Sequence, residues 1–420
     1  MAVRFSEFAA NVGIESAFSV LAVARRLKAS GKRVIELEIG DSPFPATQSA
    51  KRAAIEAIQA DQSHYGPSIG LGELREAAAG YIRAEHGVAV TADNVIIGAG
   101  AKIFEQLFCE AFLNPGDGVL VFSPYFPTYL PNIARRGARA WLADLRSADR
   151  FRPRIDEVER FLKTDPRPKA IFLNSPHNPT GGVATAEDMR ALADVVRGRD
   201  VAIFSDEPYD QMVWRGKHVT PLFEPGMLEQ CVAAYTFSKS YSMSGYRLGF
   251  AVAGMAIIER LATLLNTTLS CVPPLVQLAG TAALLHDGEE RDRNMQRFAE
   301  QVQTLAEGLA SIPEVRCQPP DGTFYVFPDV KTVCNRLGLT SHGLAMFLLE
   351  AADEKVGLAC LGGECFGATG AGFLRFSCAE TPEVMREAVA FFREAITRQE
   401  RARPFAEKNP HFALRQPYSG

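Results

Sequence analysis

Short, almost wholly apolar runs alternate with helix-patterned stretches from residue 34 to residue 252, and that alternation leaves few architectures open. The runs 34–39, 94–97, 119–122, 170–173, 202–205, 232–237 and 248–252 are short and mainly apolar, so they read as strands covered on both faces. Between them, 72–86, 101–113, 185–196 and 255–265 read as helices, several opened or preceded by Gly or Thr. Strands that alternate with helices return in parallel, which gives an α/β fold with a mainly parallel central sheet. Near residue 290 the texture changes to a charged helix at 291–309, a strand-like 322–330 and then mixed elements, the pattern of a smaller α+β domain. The expected division is an N-terminal segment, 1–47, that joins the small domain, a large domain at 48–289, a small C-terminal domain at 290–402 and an extended tail at 403–420. Pro404, Pro410 and Pro417 motivate the tail.

Charge and cysteine usage exclude several function classes. The 45 Lys and Arg nearly balance 49 Asp and Glu, which leaves no basic footprint for nucleic acid. The eight cysteines are scattered without a CxxC pair, so neither a zinc cage nor a disulfide framework is expected, and a reduced, cytoplasmic setting is. Arg4, Glu7, Asn11 and Glu15 interrupt any signal-peptide pattern at the start. The longest uncharged stretch, 261–286, contains Pro273-Pro274 and several polar residues, which argues against a membrane span.

Six segments carry chemistry. In Thr236-Phe-Ser-Lys-Ser-Tyr-Ser-Met-Ser-Gly-Tyr-Arg247, a Lys follows a buried strand directly. A desolvated Lys loses its proton readily and can form a Schiff base with a carbonyl cofactor, whereas the plainer reading is a Lys in a Ser-rich surface turn. Thr236, Ser238 and Arg247 nearby would suit a phosphate. Ser205-Asp206-Glu-Pro-Tyr209 ends another buried strand, where open α/β sheets bind ligands, although Asp206 also fits a helix cap. Asn174-Ser-Pro-His-Asn-Pro-Thr-Gly-Gly182 follows a third strand; its two Asn suit a turn, and Asn178-Pro179 is a candidate cis peptide. Gly98-Ala-Gly-Ala-Lys-Ile-Phe104 opens a helix with small residues, a phosphate cup rather than a dinucleotide fingerprint because Ile103 stands where a further Gly is needed. Tyr65 precedes a Gly-rich helix start. Arg375 lies in an apolar strand and needs an anionic partner, from the protein or from a substrate.

Together and in this order, these segments resemble the class I/II aminotransferases of the aspartate aminotransferase family, the fold type I enzymes that use pyridoxal 5′-phosphate (PLP). The likeness runs from about Val34 to about Phe392. It implies that Lys239, in the SKxxxxxGxR pattern, forms the internal aldimine and that Asp206 pairs with the pyridine nitrogen. It puts Tyr209 and Asn178 on the ring's O3′, and Arg247, Thr236 and Ser238 on the phosphate, with Gly100, Ala101 and Lys102 lining the same cup. Phe126, in Ser123-Pro-Tyr-Phe-Pro-Thr-Tyr129, matches the aromatic that stacks on the ring. Arg375 matches the Arg that forks the substrate α-carboxylate, helped by Asn178 and the backbone at Gly40. Tyr65 matches the Tyr that reaches the phosphate of the neighbouring subunit, implying a homodimer with shared sites.

The activity so implied is transfer of an amino group from an L-amino acid to a 2-oxo acid in a ping-pong cycle, with no metal, no nucleic acid and no membrane. A PLP-dependent β-lyase on the same fold is the alternative, and a non-catalytic regulatory protein a more distant one. The departures are Gly40-Asp-Ser-Pro-Phe44 where GEPDF is common, Phe126 where Tyr or Trp is common, Thr236 for Ser, and Cys378 where an aromatic is common; the first and last border the substrate pocket. For the distal carboxylate of an acidic substrate, Arg25, Arg26 and Lys102 are the candidate cations. His177, beside Asn178, reads as a loop residue.

Overall fold

The computed structural model describes residues 3–13 and 15–419. Its strands are β1 (Arg33–Glu36), β2 (Val95–Gly98), β3 (Gly118–Ser123), β4 (Arg139–Asp144), β5 (Pro168–Asn174), β6 (Ala202–Asp206), β7 (Cys231–Thr236), β8 (Gly249–Val252), β9 (Tyr325–Val326), β10 (Val356–Ala359), β11 (Leu361–Gly362) and β12 (Leu374–Ser377). Seven of them form one sheet in the order β2-β8-β7-β6-β5-β3-β4. The pairs from β7 through β6, β5 and β3 to β4 are parallel, whereas β8 runs against both its neighbours.

The central strands are apolar throughout because each face has its own core. On β3, Leu120 and Phe122 enter one apolar cluster while Val119 and Val121 enter the other; on β6, Ile203 enters the first, and Ala202 and Phe204 the second. Helices cover both faces, among them Gly72–His86 and Ala186–Val196 on one side and Lys102–Phe112 and Met255–Leu269 on the other. Thr185 caps Ala186–Val196 with a reciprocal capping box to Asp188. In the second core, Phe204 packs on Phe172 at 5.1 Å and on Phe108 at 5.4 Å between ring centroids. Phe204→Ala is expected to cost about 3–5 kcal/mol, read as a lower urea midpoint.

The smaller unit gathers both ends of the chain. The first expected strand, 34–39, forms as Arg33–Glu36 and pairs in parallel with β10 instead of entering the seven-stranded sheet. β12 lies between β11 and β9, antiparallel to each, and only Tyr325–Val326 of the expected 322–330 run is strand. The helices Ser16–Ala29, Gly288–Ala310, Ser341–Glu350 and Pro382–Ala395 pack around these short sheets.

Two further features differ from the sequence reading. β4 carries Arg139 and Asp144 at its ends and a mixed, partly exposed pattern, because it is an edge strand with one open side. Residues 403–408 are not extended: the helix Gln399–Lys408 runs through them with Pro404 inside it. Phe405 explains that outcome, since it is buried and stacks on Phe412 at 5.9 Å and packs on Phe347 at 5.8 Å. Beyond it Leu414 N donates to the Gly338 carbonyl and the Tyr418 hydroxyl to Glu364 at 2.7 Å, so the expected tail lies against the small unit. Among the described residues no helix is long and apolar enough to cross a membrane.

Candidate active site

β5, β6 and β7 are parallel neighbours, and their carboxyl ends deliver Asn174, Asp206 and Thr236 to one edge of the sheet. Side chains at that edge meet the small unit across a cleft of about 460 Å³. The cleft is lined by Gly40, Ala101, Lys102, Phe126, Asn178, Asp206, Tyr209, Thr236, Ser238, Lys239, Arg247 and Arg375, every site residue expected from the sequence except Gly100 and Tyr65. Gly100 borders it: its φ is +79°, and a Cβ there would come within 2.5 Å of Arg247 Nη2. Tyr65 is 89% exposed and stands outside the cleft.

Asp206 is buried and accepts a hydrogen bond from the Tyr129 hydroxyl at 2.6 Å. Burial pushes its carboxyl above the usual carboxylate range, and Glu207 adds to this; the Tyr129 hydrogen bond and the Lys102 and Lys239 ammonium groups draw it back. Asn174 fixes the neighbouring loop: its Nδ2 donates to the Asp206 carbonyl at 2.8 Å, and its Oδ1 accepts from Asn178 N at 2.8 Å. Asn178–Pro179 is cis. Asn178 in turn donates to the Tyr209 hydroxyl at 3.4 Å, and Tyr209 donates to the Tyr325 hydroxyl at 3.3 Å. Burial and the adjacent Tyr325 raise Tyr209 well above an ordinary phenol, so it is a donor at neutral pH.

Lys239 Nζ donates to the Gly40 carbonyl at 2.6 Å. Gly40 is required by close approach, because a Cβ would fall 1.8 Å from the Tyr325 hydroxyl. Arg247, in the left-handed region at φ 51°, donates to the carbonyls of Ser244 at 3.0 Å and Ala99 at 3.3 Å. Thr236 Oγ1 lies 2.9 Å from Ser238 Oγ. These groups and the start of the helix Lys102–Phe112 form a concave set of donors suited to an anion.

Arg375 is buried, with Nη1 donating to Asn178 Oδ1 at 3.2 Å and Nη2 to the Glu38 carbonyl at 2.6 Å. Its guanidinium lies 4.3 Å from the centroid of Tyr325 and 5.0 Å from that of Phe366. None of these partners is a carboxylate oxygen, so its charge is available to a ligand. Lys102 instead forms an ion pair with Glu15 at the cleft mouth, its Nζ 5.3 Å from the centroid of Phe126. Arg25 and Arg26 do not line the cleft, and Arg26 pairs with Glu350. His177 is buried in its loop, 2.7 Å from Thr180 Oγ1, and burial lowers it to about 3, which leaves it neutral.

Glu15, Ala17, Phe18, Glu105 and Tyr325 also line the cleft, and sequence reasoning passed over them. Tyr129 had a visible signal in its aromatic-rich segment; Glu105, inside an otherwise amphipathic helix, had only its place among apolar neighbours. Glu105 is 2% exposed and accepts from Thr128 Oγ1 at 2.6 Å and Asn132 Nδ2 at 3.1 Å. Burial, then the charge of Asp206, push its carboxyl up. A carboxyl raised on folding supports the fold less as pH climbs, because the unfolded chain gives up its proton first. The cofactor-free protein is therefore expected to lose stability in urea between about pH 5 and about pH 8, and Glu105→Gln to lose less.

The amine of Lys239, the carboxylate of Asp206, the phenol of Tyr209 and the anion cup are a set of groups that fits a phosphorylated pyridine aldehyde. Residues 32–392 match the family model described as aminotransferase class I and II. An arginine–pyruvate transaminase of Pseudomonas aeruginosa, AruH, is 32% identical over 85% of this chain and 88% of its own. The aromatic-amino-acid aminotransferase 2 of Thermococcus litoralis is 30% identical over 85% of this chain and 90% of its own. Among solved structures, the aspartate aminotransferase from Thermus thermophilus with maleate superposes with a TM-score of 0.86 at 28% identity, covering 94% of this chain and all of that one. The architecture is thus fold type I of the PLP-dependent transferases, and the chain belongs to the class I and II aminotransferases.

Proposed function

We propose that the chain binds PLP on Lys239 and transfers an amino group from an L-amino acid to a 2-oxo acid in two half-reactions that use one cleft in turn. The observation that carries this reading is convergence: the Lys239 amine, the Asp206 carboxylate, the Tyr209 hydroxyl and the Arg247 and Arg375 guanidinium groups line a single cleft from three separate segments. When bound, PLP supplies an electron sink for the charge that develops at the substrate α-carbon.

The roles of the chain's own residues follow from their chemistry. Asp206, ionised, favours a proton on the ring nitrogen, as an opposite charge at close range does. Arg247, Thr236, Ser238 and the backbone at Gly100, Ala101 and Lys102 hold the phosphate, and Phe126 covers the ring. Tyr209 and Asn178 donate to the ring oxygen. Arg375, with Asn178 and the backbone at Gly40, fixes the substrate carboxylate and so the direction of the α-C–H bond. The Lys239 amine would take the substrate α-proton as a base and give it back as an acid. Tyr65, exposed on this chain, reaches the phosphate of a second subunit in a homodimer, and the setting is the cytoplasm.

The test is the absorbance spectrum of the protein with PLP, followed as single amino acids are added without an oxo acid. The panel includes arginine, aspartate and aromatic amino acids, which appear in the names of the relatives. Replacement of the carbonyl-cofactor band by a pyridoxamine band supports the transaminase and identifies the donor class. A band that recovers while ammonia and an oxo acid accumulate makes the chain a lyase.

A further inference from the structure

Among the described residues, Glu38 is a buried carboxyl that the proposed reaction does not use. It is fully buried, and no other residue hydrogen-bonds to either carboxyl oxygen. Buried polar groups nearly always find a partner, so such an exception calls for a reason. Its position supplies one. Glu38 follows β1 in a segment held on both sides: Leu37 N donates to the Ala359 carbonyl, and Ser377 N donates to the Leu37 carbonyl. Arg375, on β12, donates Nη2 to the backbone carbonyl of Glu38 itself. Arg375 Nε and Ser377 Oγ are also buried and unpartnered. Four polar atoms with no partner on another residue therefore lie on the two adjoining segments that hold the guanidinium.

The charges facing Glu38 come from each element around it. Glu36 lies on its own strand, Lys28 on the helix Ser16–Ala29, Arg375 on β12, and Cys360 between β10 and β11. Lys28 is engaged by Glu36 at 2.5 Å, which leaves Arg375 as the buried cation of the set.

We propose that Glu38 is a positioning residue for the substrate carboxylate: neutral, it leaves the Arg375 guanidinium free to fork an incoming carboxylate, and ionised, it competes for that guanidinium from inside the protein. This rests on the reading of Arg375 as the carboxylate site. Burial pushes the Glu38 carboxyl up to about 7; its own backbone N–H draws it back, Glu36 adds to the push, and Arg375 and Lys28 oppose it. A carboxylate bound at Arg375 brings a second negative charge to the neighbourhood and raises Glu38 further. By reciprocity, binding takes up a proton wherever Glu38 was ionised, and affinity falls as pH rises through neutrality.

The experiment uses the PLP-loaded enzyme and 3-phenylpropionate, which has the carboxylate and no amino group to react. Calorimetry in two buffers of different ionisation heat reads proton uptake, and titrations across neutral pH read Kd. For the wild type we expect Kd to rise about tenfold from about pH 6.5 to about pH 8.5, beyond any change that Lys239 contributes in every variant. Glu38→Gln should remove that component of both the slope and the proton uptake. Glu38→Leu, which leaves no polar atom to strand, should do the same. A slope and an uptake unchanged in both variants would overturn the proposal. Arg375→Ala separates the two levels: if it leaves 3-phenylpropionate affinity unaltered, the carboxylate site lies elsewhere and the reading of Arg375 falls, and the proposal with it.

Discussion

Lys239→Ala should lower transaminase turnover by about 10⁴-fold or more while the folded protein survives intact. In the proposed reaction the Lys239 amine carries both the cofactor carbonyl and the α-proton, so its loss would remove two functions together. Structurally it contributes a single hydrogen bond, to the Gly40 carbonyl at 2.6 Å. Steady-state rates with the best donor, compared with urea unfolding of both proteins, check the two halves of this statement. Borohydride reduction followed by intact mass gives a third readout: the wild type should gain the cofactor mass and the variant should not. A variant that retains a tenth of the activity would move the proton-transfer role to another side chain.

The second large effect is expected at Asp206. Asp206→Asn keeps an acceptor for the Tyr129 hydroxyl and removes the charge, so it isolates electrostatics from packing. A carboxylate at close range shifts the pKa of a cationic partner by about 1–3 units, and losing that shift should slow turnover by about 10- to 10³-fold. Asp206→Ala adds a structural penalty, because a buried phenol left without its acceptor costs about 1–3 kcal/mol. The expected ranking is thus equal or greater loss of activity for Ala than for Asn, with a drop in stability for Ala alone. Activity and urea midpoints measured side by side would expose the opposite ranking at once.

How much of this was legible in the sequence depends on where each residue's neighbours come from. Asp206, Thr236 and Asn174 were visible because they end buried strands, whose uniform apolarity is a local signal, and the motif around Lys239 is contiguous. Arg375 was visible as a charge in an apolar run. Glu38, in contrast, looks like an ordinary outward residue in the alternation Glu36-Leu37-Glu38; it is buried where the chain leaves β1, whose pairing with β10 is made across more than 300 residues. Glu15 and Tyr325 reach the cleft through the same long-range assembly. The helix at Gln399–Lys408 was hidden for a different reason: Pro404 is a strong local breaker, and the packing of Phe405, which overrides it, cannot be seen from the segment alone.

The two consecutive acids at the end of β6 have a consequence for which lesions the gene can bear. Asp206 faces the cleft, while Glu207 turns away into a buried nest of donors: Ser205 Oγ at 2.7 Å, Thr220 Oγ1 at 2.8 Å, the Tyr235 hydroxyl at 2.6 Å and His218 Nε2 at 2.8 Å. A shift of one position along a strand exchanges its two faces. Loss of a single codon from 202–205 would therefore bring an acid to the right side of the sheet only by emptying that nest, so the nest acts as an index pin for the strand. Conservative substitutions in 202–205 are graded insults to packing, whereas an in-frame deletion of one codon there forces a choice between an acid at the cofactor and a satisfied interior, and the protein has no arrangement that keeps both.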